Sequence, residues 1–137
     1  MPVEPNEPVQ LRALKPEDVR KCWGYLRSNL ERIRTKGPTD WIPEDIYSEV
    51  MAGRSVAFLF EIAGNITGAM VTTGRDDTLH IWVLWENSGR VADVMEATRE
   101  MARKAGFVRG TFETQRRGWE KLAPKLGFRP YMWQVEV

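Results

Sequence analysis

Hydrophobic and polar positions at the start of the chain alternate with a period of two residues and then follow a helical period. The alternation over Val9 to Leu14 predicts a short strand. Pro16-Glu17-Asp18 predicts a helix start, because proline fits the first turn and acidic side chains favour the positive end of the helix dipole. The apolar residues that follow have helical spacing and predict one amphipathic helix; they are Val19, Trp23, Leu26, Leu30 and Ile33. A second start at Pro43-Glu44-Asp45 predicts another helix, which ends near Gly53.

From Ser55 onward the pattern becomes that of strands. Residues 56–62 predict one strand, Gly64-Asn65 a tight turn, and Ile66 to Thr73 the second strand of a hairpin. After a further turn, the near-continuous apolar run Leu79 to Trp85 predicts a strand in the middle of the sheet.

The strongest helical pattern lies over residues 91–105, where apolar residues occupy one face and charged residues the other. Gly106 ends this helix, residues 108–114 predict a strand, residues 119–126 a short helix and residues 131–137 a final strand. The predicted order is β-α-α-β-β-β-α-β-α-β. Its β–α–β unit predicts a parallel strand pair with a right-handed crossover. The pattern therefore predicts an α/β fold with a central mixed sheet and helices on both faces.

Length and composition narrow the class of protein. The 137 residues predict a single domain over residues 9–137, after an extended arm over residues 1–8 that contains three prolines. A net charge of +1 argues against binding nucleic acid by bulk charge alone. No apolar run approaches the roughly 20 residues that span a bilayer, and the start lacks a signal-peptide pattern, so we expect a cytoplasmic protein. The single cysteine, Cys22, excludes an internal disulfide and a zinc site built on several thiolates, and no metal is predicted.

The ends of the last two predicted helices carry a resemblance to a known family. One ends in Gly106-Phe107 and the next in Leu126-Gly127-Phe128, within the element order given above. These features resemble the GNAT superfamily of acyl-CoA-dependent N-acyltransferases, over nearly the whole chain after Val9. The resemblance implies transfer of acetyl from acetyl-CoA to a primary amine of a small molecule or a protein. It also implies that the loop before the central helix binds the CoA pyrophosphate, since backbone N–H groups and the helix dipole favour an anion there.

The corresponding loop departs from the family pattern Arg/Gln-x-x-Gly-x-Gly/Ala. It reads Glu86-Asn87-Ser88-Gly89-Arg90-Val91, so one glycine is kept and a branched side chain replaces the last one. Asn87, Ser88 and Arg90 remain able to bind an anion, and the alternative is that Ser88 is only a helix cap. The cofactor-binding residues that the resemblance implies are Trp85, Asn87, Ser88, Gly89, Arg90, Val91 and Arg116, the last at a position where the family often has asparagine.

The family's usual general acid is also absent. Many members place a tyrosine four residues before the glycine of the Leu-Gly-Phe motif, and this chain has Ala123 there. Tyr131 is the candidate replacement, provided that the sheet brings it to the site.

A base is needed to take a proton from the amine. Glu86, at the end of the central strand, is the first candidate and Glu113 the second, although an ordinary solvated carboxylate is favoured for Glu113. His80 is the only histidine; we expect it to face away from Ile81 and to be structural.

The region from Arg103 to Arg129 contains eight basic and two acidic residues. This surplus is a candidate surface for the CoA phosphates, for an acidic protein partner or, least favoured, for nucleic acid; a solvated basic face is the alternative. Arg116-Arg117-Gly118-Trp119 resembles a loop in divergent GNAT-like proteins of tailed bacteriophages, which suggests a bacteriophage origin.

Two hypotheses for function remain at this point. The first is a divergent GNAT-like N-acetyltransferase. The second is the same fold without catalysis, acting as a binding or virion-associated protein through its basic, tryptophan-bearing face. The enzyme hypothesis predicts that the strand Leu79 to Trp85 diverges from the strand over residues 108–114 and opens a V-shaped cleft.

Overall fold

A computed structural model describes residues 7–37, 39–113, 118–130 and 135 of the chain. Its strands form one five-stranded sheet in the order β1-β2-β3-β4-β5. They are β1 (Val9–Leu14), β2 (Val56–Ile62), β3 (Asn65–Arg75), β4 (Thr78–Glu86) and β5 (Arg109–Phe112). The first three pairings are antiparallel and β4–β5 is parallel. The predicted mixed sheet and the predicted hairpin are therefore confirmed, whereas the predicted final strand lies outside the described residues.

Five helices cover the two faces of this sheet. They are α1 (Pro16–Lys21), α2 (Trp23–Arg34), α3 (Pro43–Met51), α4 (Val91–Lys104) and α5 (Gly118–Lys125). Helices α1 to α3 pack on one face through buried residues such as Val19, Leu30 and Ile46, which belong to one hydrophobic cluster with the strand residues Val71 and Val83. Helix α4 packs on the other face, and residues next to α5 join the same cluster there.

The N-termini of α1 and α3 follow one local rule. Each begins with Pro-Glu-Asp, and the aspartate accepts a hydrogen bond from the backbone N–H that precedes the helix. The distances are 3.1 Å from Lys15 N to Asp18 Oδ2 and 2.9 Å from Ile42 N to Asp45 Oδ2. The carboxylate thus satisfies a free amide and also favours the positive helix end.

The prediction of one helix over the apolar residues from Val19 to Ile33 is wrong, because this segment forms two helices. Cys22 has φ −107° and ψ 17°, outside the helical region, and separates α1 from α2. Gly24, a weak helix former, lies in the same turn. Because the apolar residues keep helical spacing across the break, the periodicity does not reveal it. The element order therefore begins β-α-α-α rather than β-α-α.

Most tryptophans in the described part of the chain pack in the core. Trp41 and Trp85 are buried, and Trp23 and Trp82 are partly buried against the cluster beneath α1 to α3. Trp119 lies between Phe112 and Phe128, with ring centroids 4.7 and 6.4 Å away. Among the described residues, no helix has the length and apolarity to cross a membrane.

Candidate functional site

The parallel pairing of β4 with β5 covers only the first part of β4. It runs from Thr78↔Arg109 to Ile81↔Phe112. Strand β4 continues to Glu86 and pairs with β3 as far as Gly68↔Glu86. Within the described residues, β4 therefore has no partner on its β5 side after Ile81, and this side of the strand is open in the region where the sequence predicts a cleft.

A bulge in β4 stands at the point where this open edge begins. Val71 faces Val83 and Thr72 faces Ile81, so Trp82 is the extra residue on β4. Ile81 belongs to the cluster beneath α4, whereas Val83 belongs to the cluster beneath α1 to α3. The bulge thus changes the face to which the later β4 side chains point, next to the end of the β5 pairing.

The loop after β4 is organised around the carboxylate of Glu86. Its Oε1 accepts hydrogen bonds from Ser88 N, from Ser88 Oγ and, at 3.3 Å, from Arg90 N. Its Oε2 accepts a hydrogen bond of 2.7 Å from Thr67 Oγ1 on β3. Asn87 N donates to Thr67 O at 2.9 Å, which ties the same loop to β3. The carboxylate therefore occupies the position at the start of α4 where amide donors converge.

These hydrogen bonds determine the protonation of Glu86. Partial burial on its own raises the pKa of the carboxyl group, but the bonds from the side chains of Ser88 and Thr67 and from the amides of Ser88 and Arg90 outweigh it and lower the pKa below 4.5. At neutral pH Glu86 is an ionised, hydrogen-bonded acceptor. This environment does not favour the role of general base that its position in the sequence suggests, because a carboxylate with a lowered pKa is a weak base.

Arg90 lies beside this loop and is only partly neutralised. Its side chain is 17% exposed, and its Nε donates to Asp93 Oδ2 at 2.8 Å. Its Nη1 is buried and has no hydrogen-bond partner in the described part of the chain. The guanidinium lines a cavity together with Glu7, Asp93, Glu96 and Glu100, so its surroundings already carry negative charge.

Comparison with solved structures assigns the fold. An aminoglycoside acetyltransferase from an uncultured soil metagenomic sample, in complex with sisomicin, matches with a TM-score of 0.66 and 13% identity over 94% of this chain and 93% of that chain. An aminoglycoside N-acetyltransferase in complex with CoA matches with 0.65 and 14% over 98% and 97%. A ribosomal-protein-alanine N-acetyltransferase from Brucella melitensis biovar Abortus 2308 matches with 0.65 and 9% over 94% and 97%. This chain has the GNAT acetyltransferase fold.

Sequence comparison finds no such likeness: no family model matches, and no curated protein matches. This agrees with the divergence in the loop. Nothing in the comparisons supports the predicted bacteriophage origin.

Counted along the loop sequence, Glu86 stands where the family pattern has arginine or glutamine, so the loop has an anion at that position. Gly89 has φ +81°, in the left-handed region that glycine favours, and a Cβ there would meet nothing within 4 Å. Val91, at the last glycine position, packs partly buried against the cluster beneath α4. Gly89 is therefore needed for the turn, and Val91 is used for packing.

The hydrogen-bond donors of this loop fit one oxygen of a CoA pyrophosphate, provided that the carboxylate of Glu86 moves away. Three donors from Ser88 and Arg90 already converge on a single oxygen, Glu86 Oε1, which acts as a stand-in for the anion. The residues present thus fit a phosphate oxygen once the carboxylate of Glu86 has moved away.

The other predicted site residues contribute no hydrogen bond to the loop where the structure describes them. Glu113 is exposed beyond the end of β5. Arg116 and Tyr131 lie outside the described residues, so their predicted roles stay predictions. Ala123 lies within α5 and has no hydroxyl group. Trp85 is buried at the end of β4, and its Nε1 donates to Tyr25 Oη at 3.4 Å.

His80 lies where the pairing of β4 with β5 ends. It lies one residue before the last β4–β5 pair, and its Nδ1 is 2.8 Å from Thr111 Oγ1 on β5. As neighbours in a strand, His80 and Ile81 point to opposite faces, as predicted. Burial is the largest cause that lowers the His80 pKa below 6.5; Arg75 lowers it further and Glu113 opposes the shift. Only the parallel register, which aligns residues 31 positions apart, reveals this location.

Proposed function

We propose that this protein is an N-acetyltransferase that moves the acetyl group of acetyl-CoA to a primary amine. The observation that carries the proposal is that the pairing of β4 with β5 ends at Ile81 among the described residues, while β4 continues to a loop whose donors converge on one anionic oxygen. Acetyl-CoA supplies an activated thioester for attack by the amine. The amine belongs to a small molecule or a protein.

In this proposal the loop holds the cosubstrate through its phosphates. Ser88 and Arg90 supply the donors, Asn87 and Gly89 shape the turn, and Val91 anchors the start of α4. Two further residues complete the proposed set: Trp85 fixes the end of β4, and Arg116 would add positive charge.

We assign the general base to His80 in place of Glu86. The imidazole is neutral at neutral pH because its pKa is lowered, and it stands where β4 and β5 part. In the tautomer that donates from Nδ1 to Thr111 Oγ1, Nε2 carries the lone pair that accepts the amine proton. Glu113 supports this role by its charge, and Tyr131 remains the candidate acid for the leaving thiolate.

The test is acetyl-CoA-dependent acetylation of a panel containing an aminoglycoside, a polyamine and a peptide with a free N-terminus. Release of free CoA thiol and the mass of the product report turnover. His80→Asn should lower turnover by about 100-fold or more, as expected for loss of a general base. It should leave CoA affinity unchanged in calorimetry, because His80 makes no contact with the loop donors. Absence of acetylation with every amine, together with absence of CoA binding at millimolar concentration, would reject the proposal.

A second candidate is the GNAT fold without catalysis, acting as a binding or virion-associated protein. Two observations favour it: an internal carboxylate occupies the donors of the loop, and Ala123 replaces the acid. Its surface would be the basic region. A cavity of about 510 Å³ there has apolar walls and includes Arg99, Arg103 and Arg109 in its lining. This candidate predicts no CoA binding by the unmodified protein or by any loop variant.

A further inference from the structure

The carboxylate of Glu86 is held from two sides. Ser88, in the loop before α4, supplies two donors to Oε1 and the N-cap amide of Arg90 a third, and β3 supplies the Thr67 hydroxyl to Oε2. Thr67 is buried, with 9% of its surface exposed, whereas Ser88 and Asn87 are exposed. The group that fixes Glu86 therefore sits inside the sheet, and the donors that it occupies face solvent.

A carboxylate oxygen and a phosphate oxygen compete for the same donors. Both are anions, both are favoured by the positive end of a helix dipole, and two of them cannot occupy one position. We propose that Glu86 is an internal competitor for the pyrophosphate of acetyl-CoA, and that its hold on the loop sets how tightly this protein binds its cosubstrate. The inference rests on the proposed function, because it concerns the same loop.

The surroundings of Glu86 allow it to move away. The residue is partly exposed at the end of β4, so its carboxylate has a route to solvent without a change in the sheet. When a phosphate replaces the carboxylate, Glu86 loses its hydrogen bond from Thr67 and the loop gains contacts with the ligand.

Isothermal titration calorimetry with CoA and with inorganic pyrophosphate tests the competition. Glu86→Ala removes the competitor and leaves the donors, and we expect the Kd for both ligands to fall at least tenfold, a change of about 1.4 kcal/mol. Glu86→Gln, which keeps the shape but removes the charge, should fall between the unmodified protein and Glu86→Ala. It also serves if Glu86→Ala does not fold.

Thr67→Val is the sharper variant. It is close in shape, retains Glu86 and every loop donor, and removes only the hydroxyl that holds Oε2. We expect CoA affinity to rise about threefold to tenfold, because one hydrogen bond to the competing carboxylate is lost. A purely structural role for Thr67 predicts unchanged or weaker binding. Glu49→Gln is the matched control: its carboxylate on α3 accepts two hydrogen bonds from Arg54, and its removal should not change binding.

The amide signals of Ser88 and Arg90 give a second readout that does not depend on turnover. In a CoA titration of the unmodified protein they should move at high ligand concentration, and in Glu86→Ala at low concentration. Equal CoA affinity in the unmodified protein and in Glu86→Ala would overturn the inference while leaving the proposed function standing. Failure of both to bind CoA at millimolar concentration would overturn both.

Discussion

Replacing Glu86 with glutamine should destabilise the protein in a way that depends on pH. At neutral pH the ionised carboxylate accepts hydrogen bonds from the side chain and amide of Ser88, from the amide of Arg90 and from Thr67. Of these donors, only the amide of Arg90, the N-cap residue, belongs to the start of α4; Ser88 lies in the loop before it. Loss of a charged acceptor of several hydrogen bonds beside a helix N-terminus costs about 1–2 kcal/mol.

The sign of the pH dependence follows from the direction of the pKa shift. The pKa of Glu86 is lower in the folded protein than its ordinary value of 4.5. Its stabilising contribution is therefore fully present above about pH 4.5 and is lost as the pH falls through the folded pKa. The difference in unfolding free energy between the unmodified protein and Glu86→Gln should be constant from pH 6 to 8 and should shrink below pH 4.5.

Urea denaturation followed by tryptophan fluorescence at several pH values measures this difference. Glu96→Gln is the control, because Glu96 is an exposed carboxylate on the same helix, and we expect it to change stability by less than about 0.5 kcal/mol. An unfolding free energy at pH 7 that is unchanged in Glu86→Gln would refute the stabilising role of the Glu86 hydrogen bonds. A loss that stayed the same below pH 4 would refute the charge as its origin.

Three further predictions follow from individual contacts. Gly68→Ala should destabilise by about 3 kcal/mol or more, since its Cβ would lie 2.0 Å from the backbone oxygen of Trp85; a thermal scan that matched the unmodified protein would contradict this. Gly24→Ala, in α2 with open space around its Cβ, should instead stabilise by about 0.5–1 kcal/mol in the same scan. The lowered pKa of His80 means that stability falls as the pH drops below 6.5, and in pH-dependent urea unfolding His80→Asn should remove that part of the fall.

The helices and strands could be predicted because buried, apolar residues recur in each with the spacing of a helix or of a strand. Strands β1 to β4 and helices α3 and α4 begin and end within a few residues of the predicted bounds. The bulge at Trp82 was not predictable. The run from Leu79 to Trp85 is apolar at nearly every position, so both faces of β4 are suited to burial and the shift in register leaves no mark on the sequence.

The chemistry of the site was less predictable than the fold, because it depends on pairs that are distant along the chain. Glu86 meets Thr67 only through the β3–β4 hairpin, 19 residues away. His80 meets Thr111 only through the parallel register of β4 and β5. A family pattern read along the loop shows that a charge has been reversed at position 86, but it does not show where that carboxylate points.

The direction of the Glu86 side chain changes the meaning of the reversed charge. A carboxylate that pointed into the cleft would be a candidate base, and its removal would lower turnover with little effect on stability. A carboxylate that points into the amide donors instead stabilises α4 and opposes the cosubstrate. The two arrangements therefore predict opposite pairs of results for one variant. The arrangement observed here requires that Glu86→Ala be less stable and bind CoA more tightly, because the same hydrogen bonds that stabilise the empty loop must be broken before a phosphate can enter it.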